Sequence, residues 1–366
     1  MNIDELLTQI IDPPRALSPV LPSAVIRAEP EDFQVEEIPT YQPCGTGEHL
    51  FLWIEKRDVP AGDLVTRLAR GLQISPRDIG VAGQKDRRAI TRQYVSVPRS
   101  CDNNLSQWND PEIRVLSVNA HGNKLKTGHL RGNRFRILLR PPDTHAFSED
   151  ELTQVSARLK QLEQTGMPNY FGPQRFGHHG SSVRAGLAQL QDEPPASGKS
   201  RSRNARLNRF VASALQSAVF NLVLSKRVAG ESFSRPGSGD VVCRRDGIRP
   251  FLFDQRGETD ADCLVPMGPL PGPKMVRATG TVLEAESAAL QQLDLTEQHF
   301  ARSAKLTPGA RRRLAEFPLH VETAPDSSGG IVITFELPSG SFATVMLAEV
   351  CGSLQSVTGR DADQSS

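Results

Sequence analysis

At Gly80–Val97 the chain reads GVAGQKDRRAITRQYVSV, and this stretch leaves few choices for the fold around it. Val81-Ala82 has the character of the end of a short buried strand, and Tyr94, Val95 and Val97 that of the start of another. The polar block between them is expected to be a loop at the edge of a sheet, where functional groups tend to sit. Asp86 is the only carboxylate in that block, with Lys85, Arg87 and Arg88 within two residues of it. Cations so close favour the ionised carboxylate. Such a carboxylate can attack a carbon or take a proton, while the three cations could hold phosphates. A solvated turn whose Asp pairs with its own neighbours also fits the spacing.

Strand and helix signals surround this block. Residues 28–39, AEPEDFQVEEIP, alternate through Phe33 and Val35 and predict a short strand with an acidic rim. Phe33 is its one aromatic, and simple core packing is a reading of it too. HLFLWIE at 49–55 predicts a strand apolar enough to be central. Leu64, Val65, Leu68 and Leu72 follow at helical spacing, with Gly71 near the end and Pro76 beyond it. Residues 99–123 read as polar and irregular, and a strand is expected at Phe135–Arg140. Ser148 with Glu151 forms a capping-box pattern before the stripe Leu152, Val155, Leu159 and Leu162, which Gly166 closes.

Pro168–Ser182, PNYFGPQRFGHHGSS, sets two Phe-Gly pairs around Gln174 and Arg175. Such a loop supplies stacking faces and donors, and Asn169 and Arg175 could hydrogen-bond a base or a phosphate. His178-His179 has no carboxylate or Cys nearby at metal-ligand spacing. Residues 192–204, DEPPASGKSRSRN, read as a flexible linker and a domain boundary. A long helix is expected from Leu207 to about Ala229, with Phe210, Val211, Ala214, Leu215, Ala218, Leu222 and Val223 inward. Short strands are expected at Val241–Cys243 and Phe251–Phe253, and an antiparallel pair at Leu319–Glu322 and Ile331–Leu337. Helix starts are expected at Thr281 with Glu284, at Thr307-Pro308, and at Ser341.

The length of 366 residues suggests two domains, or one with a large insertion. The net charge of +1 conceals an uneven spread, since Lys199, Arg201, Arg203, Arg206 and Arg209 fall together with no acid among them. A local basic face of that kind suits a nucleic-acid partner. Five scattered cysteines with no CxxC point to free thiols in a reducing compartment and away from structural zinc. The start, MNIDELLTQIIDPP, has no basic residue before Arg15 and does not fit a signal peptide. No apolar run approaches the roughly 20 residues of a membrane span.

Four motifs then fall in order: FQVEEIP at 33–39, GQKDRRAITRQ at 83–93, NYFGPQRFG at 169–177 and GSFAT at 340–344. Together they resemble the TruD family of tRNA pseudouridine synthases, from about residue 25 to about 352. The resemblance implies an α+β fold: a pseudouridine synthase core with a mixed, mainly antiparallel sheet, circularly permuted, plus an inserted family-specific α+β domain. The core is expected at 1–194 and 317–366, and the insertion at 195–316. The implied activity is isomerisation of uridine 13 in tRNA to pseudouridine, in the cytoplasm, with tRNA as partner. No cofactor, metal, membrane or protein partner is implied. Asp86 matches the family's essential residue, and either attacks C1′ or removes the C2′ proton. Phe33, Asn169 and Phe342 match substrate-contacting positions. Lys85, Arg87, Arg88, Phe171 and Arg175 are expected to meet RNA. A non-catalytic RNA-binding protein is the alternative, and a hydrolase would want a second carboxylate nearby.

Overall fold

The computed structural model describes residues 2–143, 145–191, 205–253 and 261–356. The linker expected at 192–204 lies outside them. Contacts divide the chain into two compact units. A sheet unit comprises Pro19–Gln164, Pro318–Gly340 and Val350–Ser366, and a helical unit comprises Met1–Ser18, Thr165–Phe317 and Ser341–Glu349.

The sheet unit is built on eight strands. From one edge they run Leu319–Pro325, Ile331–Pro338, Leu130–Leu139, Phe33–Pro39, Ile90–Pro98, His49–Arg57 and Ile113–His121, and Gly80–Val81 adds to Ile90–Pro98. Phe33–Pro39 and Ile90–Pro98 pair in parallel; the other pairs are antiparallel, so the sheet is mixed and mainly antiparallel as expected. Side-chain alternation turns Leu50, Leu52 and Ile54 to the same face as their cross-strand partners Val97, Val95 and Gln93. The helix Ala61–Leu72 covers this face with Leu64, Leu68, Ala69 and Leu72. That helix ends at Gln73 in the left-handed region, φ 56°, and Pro76 prevents its continuation.

Two expectations change here, while His49–Arg57 is an inner strand, paired on both sides, as expected. The strand after the polar block starts at Ile90, so Thr91 and Gln93 are sheet residues with buried side chains rather than loop residues. His49–Arg57 lies one strand in from the edge. That edge, Ile113–His121, falls in the stretch expected to be irregular. Ile113 at its start is buried, but Leu116 and Val118 are exposed, so buried-face alternation does not run along it.

The helical unit centres on Ala205–Ala229, a helix of 25 residues. Its Leu215, Ala218, Val219 and Leu222 join a cluster with Leu6, Leu7, Ile10, Phe176, Val183 and Phe300, while Phe220, Leu224 and Val228 join Tyr170 and Leu314. Gly186 lets the helix Ser181–Gln191 approach closely, because a Cβ there would lie 2.6 Å from the Val211 carbonyl oxygen. The segment Leu207–Ala229 has the length and mean hydropathy of a membrane span, contrary to expectation, but most of it is buried inside the unit. Phe210, expected to face inward, is exposed. A four-stranded antiparallel sheet, in the order Phe251–Leu252, Val241–Arg244, Leu264–Leu270, Ala310–Arg313, completes the unit.

The capping box at Ser148 and Glu151 forms as expected. The other three helix starts differ. Thr279 and Phe342 occupy the caps expected for Thr281 and Ser341, and neither makes a side-chain cap bond. Thr307 starts no helix; its hydroxyl donates to the Phe300 carbonyl at 2.9 Å, behind the helix Glu297–Arg302.

Candidate active site

Asp86 lies in the loop between Gly80–Val81 and Ile90–Pro98, with its side chain 36% exposed. Neighbouring strands hold the loop at several points. Lys85 turns under the loop and pairs with Glu37 at 2.8 Å, both buried. The Lys56 ammonium donates to the Asp86 carbonyl at 2.7 Å. Arg88 donates to the Ala28 carbonyl at 2.8 Å, and Ala89 accepts at its carbonyl from the Asp58 N–H. Beneath lies the end of the buried sheet face, where Glu37, Thr91, Gln93 and Lys56 replace the apolar residues found further along.

The cation that meets the Asp86 carboxylate is Arg27, at 3.2 Å. It follows the strand Leu21–Ile26 with φ 58°, a strained backbone for a residue with a side chain. Its guanidinium lies 3.9 Å from the centre of the Phe33 ring. Phe33 is itself only 1% exposed and meets Phe135 edge to face. Phe33, Arg27 and Asp86 therefore form one stack of ring, cation and carboxylate. The cations adjacent in sequence are deployed differently: Lys85 is spent on Glu37, exposed Arg87 lies 3.6 Å from Asp58, and Arg88 holds main chain. A buried ammonium already paired with a carboxylate is in no position to hold RNA phosphate, which removes Lys85 from that role.

The helical unit gathers the residues of the other loop. Asn169 is 2% exposed. Its amide donates to the Arg313 carbonyl at 2.9 Å and accepts from Arg312, and the Ser341 hydroxyl lies 3.5 Å from the same oxygen. Phe171 is clamped by Asn221, which accepts from its N–H at 2.9 Å and donates to its carbonyl at 3.0 Å. Half-buried Phe342 lies 6.4 Å from the Phe171 ring. Arg312 stacks on Phe171 at 4.1 Å, and burial pulls its pKa down to about 10. Arg175 donates to the hydroxyls of Ser213 and Ser217, at 2.8 and 3.2 Å, and burial lowers its pKa too. Gly177, φ 72°, ends the loop where a Cβ would lie 2.6 Å from the Ser181 hydroxyl. His178 and His179 meet edge to face, and among the described residues no cluster of three potential metal ligands occurs.

The chain matches the family model described as tRNA pseudouridine synthase D (TruD) over residues 23–197 and 183–350. The chain belongs to the TruD family. It is 36% identical over 334 residues to the tRNA pseudouridine synthase D of Anaeromyxobacter sp. (strain Fw109-5), covering 89% of this chain and 91% of that one. It is 37% identical over 329 residues to a protein of that name from Thermus thermophilus, covering 89% and 88%. A crystal structure of a protein from Methanosarcina mazei described as TruD superposes with a TM-score of 0.73 at 24% identity, over 94% of this chain and 97% of that one, which shows the shared fold. Membership of the TruD family makes tRNA pseudouridylation, an isomerisation, the activity class.

Both loops lie inside the segments that match TruD. So do three residues whose sequence context gives no sign of a role: Arg27, Lys56 and Arg312. Arg27 stands alone before the FQVEEIP motif, and nothing in its spacing points to Asp86. Lys56 ends a strand and looks like an ordinary solvated terminus. Arg312 sits in a run of three arginines, ARRR, that reads as a charged surface.

Proposed function

We propose that the protein isomerises uridine 13 of tRNA to pseudouridine, with Asp86 as the essential group. The observation that supports this best is the stack of Phe33, Arg27 and Asp86. It leaves a carboxylate partly open to solvent while the loop behind it is anchored from the sheet. In the reaction the bond from C1′ to N1 breaks, the uracil turns, a bond from C1′ to C5 forms, the C5 proton leaves and N1 takes up a proton. Asp86 either attacks C1′ or takes the C2′ proton. Arg27 orients the carboxylate, and Phe33, buried beneath it, serves the uracil through the Arg27 it holds. Phe342, half-buried and close to Phe171, offers an aromatic face to the uracil. Asn169, whose amide is engaged within its own unit, serves the uracil through the loop it shapes.

Flipping the nucleotide out of folded tRNA costs about a few kcal/mol, which phosphate contacts from Arg87, Arg88 and Arg175 offset in this proposal, with Phe171 as a stacking face. The partner is tRNA, the setting is the cytoplasm, and the chemistry calls on no cofactor or metal. Residues 195–316 are proposed as the family-specific insertion in a core formed by 1–194 and 317–366.

Release of tritium from C5-labelled uridine tests the reading. The substrates are a tRNA with uridine at position 13 and the same tRNA with cytidine there. Release from the first and not the second is expected. Equal release from both would reassign the target position. Binding without release from either would favour the non-catalytic RNA-binding alternative.

A further inference from the structure

We propose that Lys56 is a positioning residue for Asp86, fixing the main chain of the catalytic loop and setting a positive charge behind its carboxylate. The inference rests on the reading of Asp86 as the catalytic group.

Alternation along His49–Arg57 puts Leu50, Leu52, Ile54 and Lys56 on one buried face. The pattern calls for an apolar residue at 56, yet a lysine stands there with 0% exposure. Burying an ammonium is costly unless its donors are used and its charge is answered. Its nitrogen donates to the Val59 carbonyl and to the Asp86 carbonyl, each at 2.7 Å. The first bond closes the turn after its own strand. The second reaches 30 residues on and fixes the peptide of the catalytic residue.

The charges around Lys56 are Asp86 and Asp58, which favour the ammonium, and Lys85, which opposes it. Each is also engaged elsewhere: Asp86 with Arg27, Asp58 with Arg87, and Lys85 with Glu37. From the adjoining strands Lys56 faces the uncharged Thr91 and Ile113. Burial outweighs the favourable charges and brings the lysine down to about 8 from 10.5. An apolar side chain would fill this position without that penalty, so the ammonium is kept for what it does to the loop.

A pH signature follows that a purely structural lysine would not give. Below about pH 8 the ammonium is charged and acts on Asp86; above it the charge is lost and the rate falls. Stability moves the other way. Between pH 8 and 10.5 the unfolded lysine holds its proton while the folded one has lost it, so raising the pH through this window stabilises the fold.

The test uses the full chain as wild type, Lys56→Met and Asp86→Asn, with tRNA. It follows single-turnover rate, tRNA affinity and melting temperature from about pH 6.5 to 9.5, spanning the shifted lysine. Lys56→Met is expected to slow turnover on the order of 10²-fold, as for a misplaced catalytic group. Its tRNA affinity stays within about threefold, because phosphate contacts remain. The wild-type rate falls through pH 8 relative to that of Lys56→Met, and ionisations of the tRNA cancel in this ratio. A wild-type rate in folded Lys56→Met, or parallel profiles for the two proteins, would overturn the inference. If Lys56→Met does not fold, the wild-type profile decides, and a flat rate through pH 8 overturns it. Normal turnover by Asp86→Asn would instead remove the Asp86 reading itself, a result separable from an active Lys56→Met beside an inactive Asp86→Asn.

Discussion

The Asp86 loop and the Asn169–Gly177 loop are both short segments, the first carrying four charged residues and the second one charge among three aromatics, and they are held in opposite ways. The first is anchored by charged groups: Lys85 to Glu37, the Lys56 ammonium to main chain, Arg27 to the carboxylate. The second is held largely by neutral amides and hydroxyls, with Asn221 on both sides of Phe171 and Ser213 and Ser217 on Arg175, and by cations lying on rings. The difference follows from what each loop has to present. A reactive carboxylate needs a fixed backbone and a defined charge around it, which ionic anchors provide. A stacking surface needs flat rings, which cations lying over them can brace. Among the described residues Arg175 has no ion-pair partner, while the Asp86 loop has three ion pairs with the groups around it.

Predictions that test this contrast begin with Asp86 itself. Asp86→Asn keeps shape and neighbours but loses the charge, and should lower the single-turnover rate by about 10³-fold or more, with tRNA affinity changed only a few-fold. Appreciable turnover by this variant would mean that the ionic anchoring serves something other than Asp86.

The anchor below it comes next. Glu37→Gln strands the Lys85 ammonium in the interior and should cost about 3–5 kcal/mol in urea unfolding. Adding Lys85→Met should recover most of that loss. A neutral single variant would show that the loop does not depend on its buried pair.

The two aromatics separate packing from presentation. Phe33 is buried under Arg27, so Phe33→Ala should lower stability by about 3–5 kcal/mol as well as turnover. Phe342 is half-buried, so Phe342→Ala should spare stability and cost turnover about 1–3 kcal/mol, the value of one stacked base. Melting temperature and single-turnover rate on the same samples check this, and equal melting losses for the two would erase the distinction.

The smallest effect is expected at Arg175. Arg175→Met should weaken tRNA binding several-fold and reduce the slope of log affinity against log salt by about one, as for a single phosphate contact. An unchanged slope would assign this arginine to holding the loop rather than to meeting RNA.

Much of the fold is legible in the order of residues. The strands at 33–39, 49–57 and 331–338 carry apolar residues on buried faces, and the helices at 61–72 and 149–165 show both their stripes and their ends. The helix Ile3–Ile11, not among the expected elements, carries signals of the same kind: apolar Leu6, Leu7 and Ile10 on one side and Asn2 with Glu5 as its capping box. The edge strand Ile113–His121 shows the pattern only at its start, Ile113, because Leu116 and Val118 beyond it are exposed. Of the other expected helix starts, those at Thr281 and Ser341 fall within one or two residues of the observed caps and the one at Thr307 fails. A Ser or Thr caps a helix only when the backbone turns there, and Ser341 and Thr307 place their hydroxyls against Asn169 and the Phe300 carbonyl instead.

For the site, local chemistry leaves Asp86 open between a reactive carboxylate and a solvated turn. The four motifs in order, through their resemblance to the TruD family, are what favour the first and bring in the second loop. The partners of Asp86 were a different matter. Sequence adjacency pointed to Lys85, Arg87 and Arg88, but in an irregular loop consecutive side chains point in different directions, and these three find Glu37, Asp58 and the Ala28 carbonyl. The groups that do bear on Asp86 come from elsewhere: Lys56 from a neighbouring strand of the sheet, and Arg27 from just after Leu21–Ile26, which pairs with Cys351–Ser356. Electrostatic contact depends on distance in space, and for these residues only the fold sets that distance.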